Sequence, residues 1–232
     1  MDPVADARDL VTERFPDAQA AFLGGGVLSS RRTSTSDLDI VVVRSGPSAP
    51  YRESLRWRGW PVELFVHDEQ TIVSWFARDA ARRRPTLARM CAEGAILRAG
   101  GRADWVREQA LTVLAAGPPP LDQAGLDYRR YSLSDLLDDL AGSTDPGETM
   151  VIGWNVLTDT AELALLLAAR WLGGGKWLLR ELRALDASLA DALLAAREDP
   201  AALARLAGDV LAQAGGRLWE GYRAAGEPIR AE

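Results

Sequence analysis

Three carboxylates stand in segments that otherwise look like buried strands. Asp37 and Asp39 open a run rich in β-branched residues, which predicts a strand over 37–43. Side chains two positions apart leave the same face of a strand, so both carboxylates share a face. Glu63 lies inside a second predicted strand, 61–67, where a charge is equally out of place. If the two strands are neighbours, we expect the three side chains to converge.

Carboxylates that share one face repel each other and lose hydration unless a cation lies between them. Mg²⁺, which prefers oxygen ligands, is the natural compensation, and such a cluster could hold one or two ions for in-line attack at phosphorus. Taken singly, Asp37 can be a turn residue, Asp39 an edge-strand charge and Glu63 a solvent-facing residue. The three together favour a metal site.

A run of three glycines supplies the second part of the candidate site. A strand predicted over 20–23 leads into Gly24-Gly25-Gly26, and a short helix is predicted over 27–32. Glycines let the backbone approach an anion, and the start of a helix offers unpaired N–H groups. Gly25 and Gly26 are therefore candidate phosphate ligands, although a triple glycine alone is also typical of a tight turn.

The spacing of these residues resembles a known family. The pattern consists of Gly25-Gly26, nine intervening residues, Ser36-Asp37-Leu38-Asp39-Ile40 and, on a later strand, Glu63. Over about residues 20–67 this resembles the DNA polymerase β-like nucleotidyltransferase superfamily. Among its members the sequence is most similar to aminoglycoside adenylyltransferases that act on streptomycin and spectinomycin. They share a strand like 62–68 and a helical C-terminal segment like 155–158, followed about twenty residues later by a lysine.

The resemblance implies transfer of a nucleoside monophosphate, from ATP or another nucleoside triphosphate, to a hydroxyl of a small and possibly cationic acceptor, with release of pyrophosphate. It implies that Asp37 and Asp39 bind Mg²⁺ and that Glu63 is a metal ligand or the general base. The nucleotide-binding residues that it implies are Gly25, Gly26, Ser36 and Lys176. Gly26 departs from the family, in which many members have a serine, so a hydroxyl contact to phosphate would have to come from Ser29 or Ser30.

The candidates of the second half are a lone lysine and three residues of a helix predicted over 147–172. Lys176 is the single lysine among 27 basic residues and begins a predicted helix, where its compact charge suits a triphosphate. An incidental surface lysine is the alternative. Glu148, Asn155 and Asp159 are candidate acceptor contacts, against the ordinary alternatives of a solvated helix face or a buried, satisfied polar residue.

The chain changes character at 117–120, a Gly-Pro-Pro-Pro stretch that suits a linker. Strand-like and helix-like segments alternate before it, and only helical patterns follow it. The fold class predicted is α+β, a mixed sheet with helices followed by an all-α helical bundle. We expect a nucleotidyltransferase domain at 1–117 and a helical substrate-binding domain at 118–232. The first range has 16 basic and 15 acidic residues and the second has 11 and 18, so the second carries the negative balance.

Composition excludes several classes of function. The net charge of −6 argues against general nucleic-acid binding, which depends on neutralising phosphates. One cysteine and one histidine exclude a disulfide framework, a cysteine-based zinc site and a multi-histidine metal site. The acidic N-terminus lacks a signal-peptide pattern, and the apolar stretch 151–172 is interrupted by Asp159 and Glu162. We therefore expect a cytoplasmic protein that does not enter membranes; its oligomeric state is left open.

Two other functions fit the same residues. One is a nucleotidyltransferase of toxin–antitoxin type, whose acceptor is a protein or an RNA end. The other is a non-catalytic module that senses nucleotides. The acidic second half disfavours an RNA acceptor, and the three carboxylates disfavour a module that only binds.

Overall fold

The structure is a computed structural model that describes residues 2–30, 32–46 and 50–224, and the chain divides into two compact units, Met1–Pro118 and Pro119–Glu232. The first unit combines a mixed sheet with helices, and the second is formed by helices. The predicted α+β class, with a mixed sheet followed by an all-α half, is confirmed.

The first unit contains, in chain order, helix α1 (Pro3–Arg14), strands β1 (Ala18–Gly24), β2 (Leu38–Arg44), β3 (Tyr51–Trp57) and β4 (Trp60–Asp68), helices α2 (Glu69–Ala81) and α3 (Thr86–Glu93), strand β5 (Ala95–Arg98) and helix α4 (Ala103–Ala116). The strands form one sheet of five in the order β3-β4-β2-β1-β5. The central pair, β2 and β4, is parallel, and the other pairs are antiparallel.

Alternation along the strands divides the core of this unit into two layers. Ile40 and Val42 of β2 pack in the cluster that includes α1, whereas Val41 and Val43 pack with α2, α3 and α4 on the opposite face. The strand β2 is buried along almost its whole length, as its run of β-branched residues predicts. Polar side chains on this strand must therefore lie at its ends, which is where the candidate site is found.

The strands predicted at 20–23, 37–43 and 61–67 correspond to β1, β2 and β4 to within about two residues. Two helical segments of this unit differ from the prediction. Helix α4, Ala103–Ala116, is not predicted, because its buried stripe consists largely of small alanines that contrast weakly with the exposed side. The short helix predicted over 27–32 is only a 3-10 turn, Gly26–Leu28. Serine and threonine dominate the residues that follow it, and their side chains compete with the backbone for hydrogen bonds. Residue 31 of that prediction lies outside the described residues.

The second unit contains helices α5 (Gln123–Gly142), α6 (Pro146–Leu167), α7 (Lys176–Leu185), α8 (Ala187–Ala195) and α9 (Pro200–Gln213). Aspartates at the N-caps of α5, α6, α8 and α9 accept hydrogen bonds from the first backbone N–H groups. Helix α6 packs against α5, α7 and α9 in the core of this unit. It ends earlier than predicted, at Leu167, and Ala169 just beyond it has a φ of 50°.

By length and composition, α6 is the one helix within the described part of the chain that could cross a membrane. Its buried residues contact the neighbouring helices of the second unit, and core helices of globular proteins meet the same criterion. The observation is therefore weak evidence for a membrane span.

Candidate metal and phosphate site

The register of the sheet brings the three carboxylates together. Glu63 of β4 is the direct parallel partner of Asp39 of β2, and Asp37 lies one residue before β2 begins. One carboxylate oxygen from each of the three residues lies within 4.8 Å of the others. All three side chains are partly exposed. The convergence expected if the two strands were neighbours is thus present in the fold.

The donor set suits a hard divalent cation. Mg²⁺ binds oxygens at about 2.0–2.1 Å, so two oxygens on one ion stand roughly 3–4 Å apart. Carboxylate oxygens within 4.8 Å of one another reach that separation by small side-chain rotations. Three carboxylates also supply the negative charge that offsets the loss of water from the ion. The residues present therefore fit a magnesium ion.

The glycine turn lies directly beside Asp39. Gly24, the last residue of β1, is the antiparallel partner of Asp39. Gly25 follows with φ 80° and ψ −174°, a conformation essentially restricted to glycine. A Cβ added to Gly25 would also clash with Oδ2 of Asp39. This glycine is needed both for the turn and for the approach of the carboxylate.

Gly26 differs from its neighbour. A Cβ added there meets no atom within 4 Å, so the position is open rather than constrained. Because the predicted helix is only a 3-10 turn, a helix N-terminus is not available as the source of phosphate-binding N–H groups. Any contact to phosphate would depend on the backbone of the turn itself.

Two serines near the turn are engaged in local hydrogen bonds. Ser36 Oγ accepts a 3.0 Å hydrogen bond from the backbone N–H of Thr33, which shapes the turn leading into Asp37. Ser29 Oγ donates to the carbonyl of Gly26 at 2.8 Å. Ser29 thus lies at the glycine turn, and its hydroxyl proton is used within that turn.

Arg52 is a residue of this site that the sequence-based prediction missed. Its guanidinium forms an ion pair with Glu63 Oε2 and lies over the Phe65 ring, 4.8 Å from the centroid. The hairpin register explains the contact, since Ser54 of β3 faces Glu63 and Arg52 is diagonal to it. The signal was in the sequence, because the tight turn at 58–59 sets which residues face each other.

His67 lies on the same strand face as Glu63, as the period of two predicts, but is deeply buried. Its ring packs edge-on against Trp75, with centroids 5.9 Å apart. Its Nδ1 is buried and has no hydrogen-bond partner among the residues that the structure describes. Burial lowers the pKa of His67 to about 4, partly opposed by the charge of Asp68. His67 is therefore neutral near pH 7.

The remaining sequence candidates lie in the second unit, on α6 and α7. Glu148 and Asn155 are exposed on α6, and spacings of seven and four residues place them on one side of this helix with Asp159. Lys176 is exposed at the first position of α7, after Gly175 with a φ of 52°. The sequence alternative in which Asn155 is a buried polar residue is thus wrong.

Asp159 belongs to a polar cluster between α5 and α6. Arg129 Nη1 lies 2.9 Å from Oε2 of the buried Glu162, and Ser132 Oγ lies 3.4 Å from Asp159 Oδ2. Burial raises the pKa of Asp159, opposed first by the positive charge of Arg129. A second positive group beside Asp159 would stabilise the ionised form of this carboxylate.

An open groove lies near Glu148, where α5 ends and α6 begins. It has a volume of about 750 Å³. Its polar and acidic lining residues are Asp138, Asp139, Ser143 and Glu148. Arg217 already forms a 2.7 Å ion pair with Asp138.

No protein-family model matches this sequence, and no curated protein matches it. In structure, the chain is similar to a nucleotidyltransferase-like protein from Exiguobacterium sibiricum 255-15, known from a crystal structure. The two chains are 15% identical with a TM-score of 0.45, and the similarity covers 92% of this chain and 77% of the other. Values this low assign no activity.

Proposed function

We propose that this protein is a Mg²⁺-dependent nucleotidyltransferase that moves AMP from ATP to a hydroxyl of a small acceptor and releases pyrophosphate. The observation that carries the proposal is the convergence of Asp37, Asp39 and Glu63 beside the turn at Gly25. Metal ligands next to a backbone turn that admits an anion are the two parts that a metal–triphosphate substrate requires.

Each residue of the site has a role in that reaction. Asp37 and Asp39 hold the ion, and Glu63 either completes its coordination or accepts the proton of the attacking hydroxyl. When bound, Mg²⁺ supplies charge stabilisation to the phosphates. The hydroxyl oxygen forms a bond to the α-phosphorus as the bond to the β-phosphate oxygen breaks, and pyrophosphate leaves. We assign the phosphates to the backbone at Gly25 and Gly26.

Such a transfer needs mainly positioning and electrostatic stabilisation. Ser36 supports it by shaping the turn before Asp37, through its hydrogen bond with Thr33. We further propose that Lys176 contributes a compact positive charge to the phosphates.

We assign the acceptor to the helical second unit. A small cationic molecule of aminoglycoside type is favoured by the charge of residues 118–232, which hold 18 acidic and 11 basic residues. The raised pKa of Asp159 also favours a cation, because a positive group beside it would stabilise its ionised form. Glu148 and Asn155 lie on the same side of α6 and are proposed as further acceptor contacts. A cytoplasmic location belongs to this proposal, since ATP and Mg²⁺ are both required.

The test is a screen for pyrophosphate release with Mg²⁺, each of the four nucleoside triphosphates and a set of acceptors. The acceptors are aminoglycosides, other small hydroxylated molecules, proteins and RNA. We expect metal-dependent release with ATP and a small cationic acceptor, and none after chelation of the metal.

The other outcomes separate the competing functions. Turnover only with protein or RNA would overturn the small-molecule acceptor and favour the toxin–antitoxin type. Nucleotide binding without turnover on any acceptor would overturn the enzymatic proposal and favour a sensing module.

A further inference from the structure

The side chain of Arg52 contacts Glu63 at the edge of the metal site. Its guanidinium is paired with Oε2 of Glu63, while its side chain rests on the ring of Phe65. The side chain of Arg52 is 59% exposed and that of Glu63 is 30% exposed. The pair is therefore in contact with solvent and can open without burying an unpaired charge.

The charges around this ion pair indicate the role of Arg52. Without a metal, three carboxylates lie within one small region, and a positive charge reduces their mutual repulsion. An arginine is suited to that task because it stays protonated and its planar guanidinium stacks on an aromatic ring. It cannot act as a metal ligand, since all its nitrogens are donors. A divalent cation that uses Glu63 must therefore compete with Arg52.

We propose that Arg52 is an exchangeable counter-ion of the metal site, which a divalent cation displaces from Glu63. The inference rests on the metal site of the proposed function and adds a means of regulating it. Arg52 keeps the metal-free site stable and lowers its intrinsic affinity for free metal. The metal then binds most favourably together with the triphosphate, whose negative charge offsets both cations.

The strand β3 provides a matched control. Arg52 and Arg56 stand two residues before and after Ser54, the direct partner of Glu63. Both arginines are therefore diagonal neighbours of Glu63 on one face of the sheet. Among the described residues, only Arg52 forms an ion pair with Glu63. Replacing either one removes the same charge from the same strand face.

The test is a titration of nucleotide-free protein with Mn²⁺ at physiological ionic strength, with free Mn²⁺ measured by electron paramagnetic resonance. We expect Arg52→Gln to bind Mn²⁺ about two- to fivefold more tightly than wild type, the range for loss of an exposed ion pair. Arg56→Gln should bind Mn²⁺ with an affinity close to that of wild type. Solvent and salt screen the charge of Arg56, which makes no direct contact with Glu63. In a Glu63→Gln background, Arg52→Gln should have no effect on Mn²⁺ affinity.

Two results would overturn the inference. Weaker Mn²⁺ binding by Arg52→Gln would mean that Arg52 orients Glu63 as a ligand, and unchanged binding would mean that the pair is incidental. Thermal unfolding of each variant shows that the fold is retained. Pyrophosphate release from the same preparations reports on the proposed function separately. Release without a change in Mn²⁺ affinity overturns only the role of Arg52, and tighter Mn²⁺ binding without release on any acceptor overturns only the proposed enzyme.

Discussion

Both units group carboxylates around an arginine, but the two groups differ in burial. In the first unit, Asp37, Asp39 and Glu63 are partly exposed, and Arg52, which pairs with Glu63, has a side chain that is 59% exposed. In the second unit, the side chains of Glu162 and Arg129 are only 9% and 26% exposed, and their pair is 2.9 Å long. The carboxylates of the first group are accessible to a soluble cation, whereas Glu162 in the second group is neutralised by the largely buried Arg129.

Acidic residues therefore have different roles, depending on whether a side chain of the protein or a soluble cation neutralises their charge. A buried pair is costly to break, because removal of one partner leaves an uncompensated charge. An exposed pair contributes little and can exchange. We therefore expect the first group to control activity with little effect on stability, and the pair of Glu162 and Arg129 to control the stability of the second unit.

The largest effect is expected from Asp39→Asn. Loss of one carboxylate removes a metal ligand, so pyrophosphate release should fall by about a hundred- to a thousandfold, the range for the loss of one electrostatic group in an active site. Stability should change little, because this carboxylate is partly exposed.

The matched control for that prediction is Glu53→Gln on β3. Glu53 is paired with Arg14 at 3.1 Å, on the sheet face that carries α1. The Glu53→Gln variant should keep wild-type activity. Full activity of Asp39→Asn in a steady-state pyrophosphate assay would contradict the assignment of the site.

The next largest effect is the loss of stability expected from Glu162→Gln in the second unit. It leaves Arg129 without its buried partner, and the free energy of unfolding should fall by about 2 kcal/mol, less than for a fully buried pair because Arg129 is partly exposed. Urea unfolding measures the change. Joint replacement of Arg129 and Glu162 by methionine should recover part of the loss. If Glu162→Gln lowers the free energy of unfolding no more than Asp39→Asn does, the proposed difference between the two groups is contradicted.

Acidification should change the contributions of His67, in the first unit, and Asp159, in the second, in opposite directions. Burial holds the pKa of His67 at about 4, below its ordinary value of 6.5, so the unfolded chain takes up the proton first as the pH falls. The contribution of His67 to stability is therefore complete above pH 6.5 and declines toward pH 4, by about 1–2 kcal/mol after allowance for partial solvation. His67→Phe should remove this decline and keep the packing against Trp75. Thermal unfolding between pH 4 and 7.5 provides the measurement.

Asp159 supplies the counterpart in the second unit. Its pKa is raised by burial, so the folded state retains the proton at a higher pH than the unfolded chain does. The contribution of Asp159 therefore falls as the pH rises through its folded pKa, and Asp159→Asn should raise the melting temperature at pH 7. A lower melting temperature would show that this carboxylate is satisfied by its neighbours.

The smallest effect is expected from Gly26→Ser. The added side chain meets no atom within 4 Å, so stability should change by less than about 0.5 kcal/mol. The hydroxyl would restore the residue that the resembled family has here, and KM for ATP should fall about two- to threefold, consistent with one added neutral hydrogen bond. Gly25→Ala, by contrast, should impair both folding and activity. Equal tolerance at both positions would show that the approach of Asp39 to Gly25 is unimportant.

Much of the first unit could be predicted from the sequence, because its strands are β-branched runs separated by glycine, proline and polar residues. The acidic pair was evident for the same reason, since Asp39 interrupts an apolar pattern. Helix α4 was missed because small alanines give little contrast between its faces. Arg52 was missed because an arginine on an edge strand is ordinary, and only the pairing register reveals Glu63 beside it.

The second unit was predictable in its helices but not in the roles of its polar residues. Asp159 and Glu162 are three residues apart in the sequence, yet only the neighbouring helix shows that one has Arg129 as its partner. Asn155 is exposed, which helical spacing alone could not decide. Partners that come from another element are set by tertiary packing, and a single sequence does not encode them locally.

The most direct test of the central claim is the location of a divalent cation in a crystal of the protein grown with Mn²⁺ and a non-hydrolysable ATP analogue. Anomalous scattering from manganese identifies the ion without ambiguity. The account predicts a peak between Asp37 and Asp39, within bonding distance of their carboxylates, with the triphosphate against Gly25 and Gly26. A nucleotide bound elsewhere, or bound with no metal at these carboxylates, would contradict it.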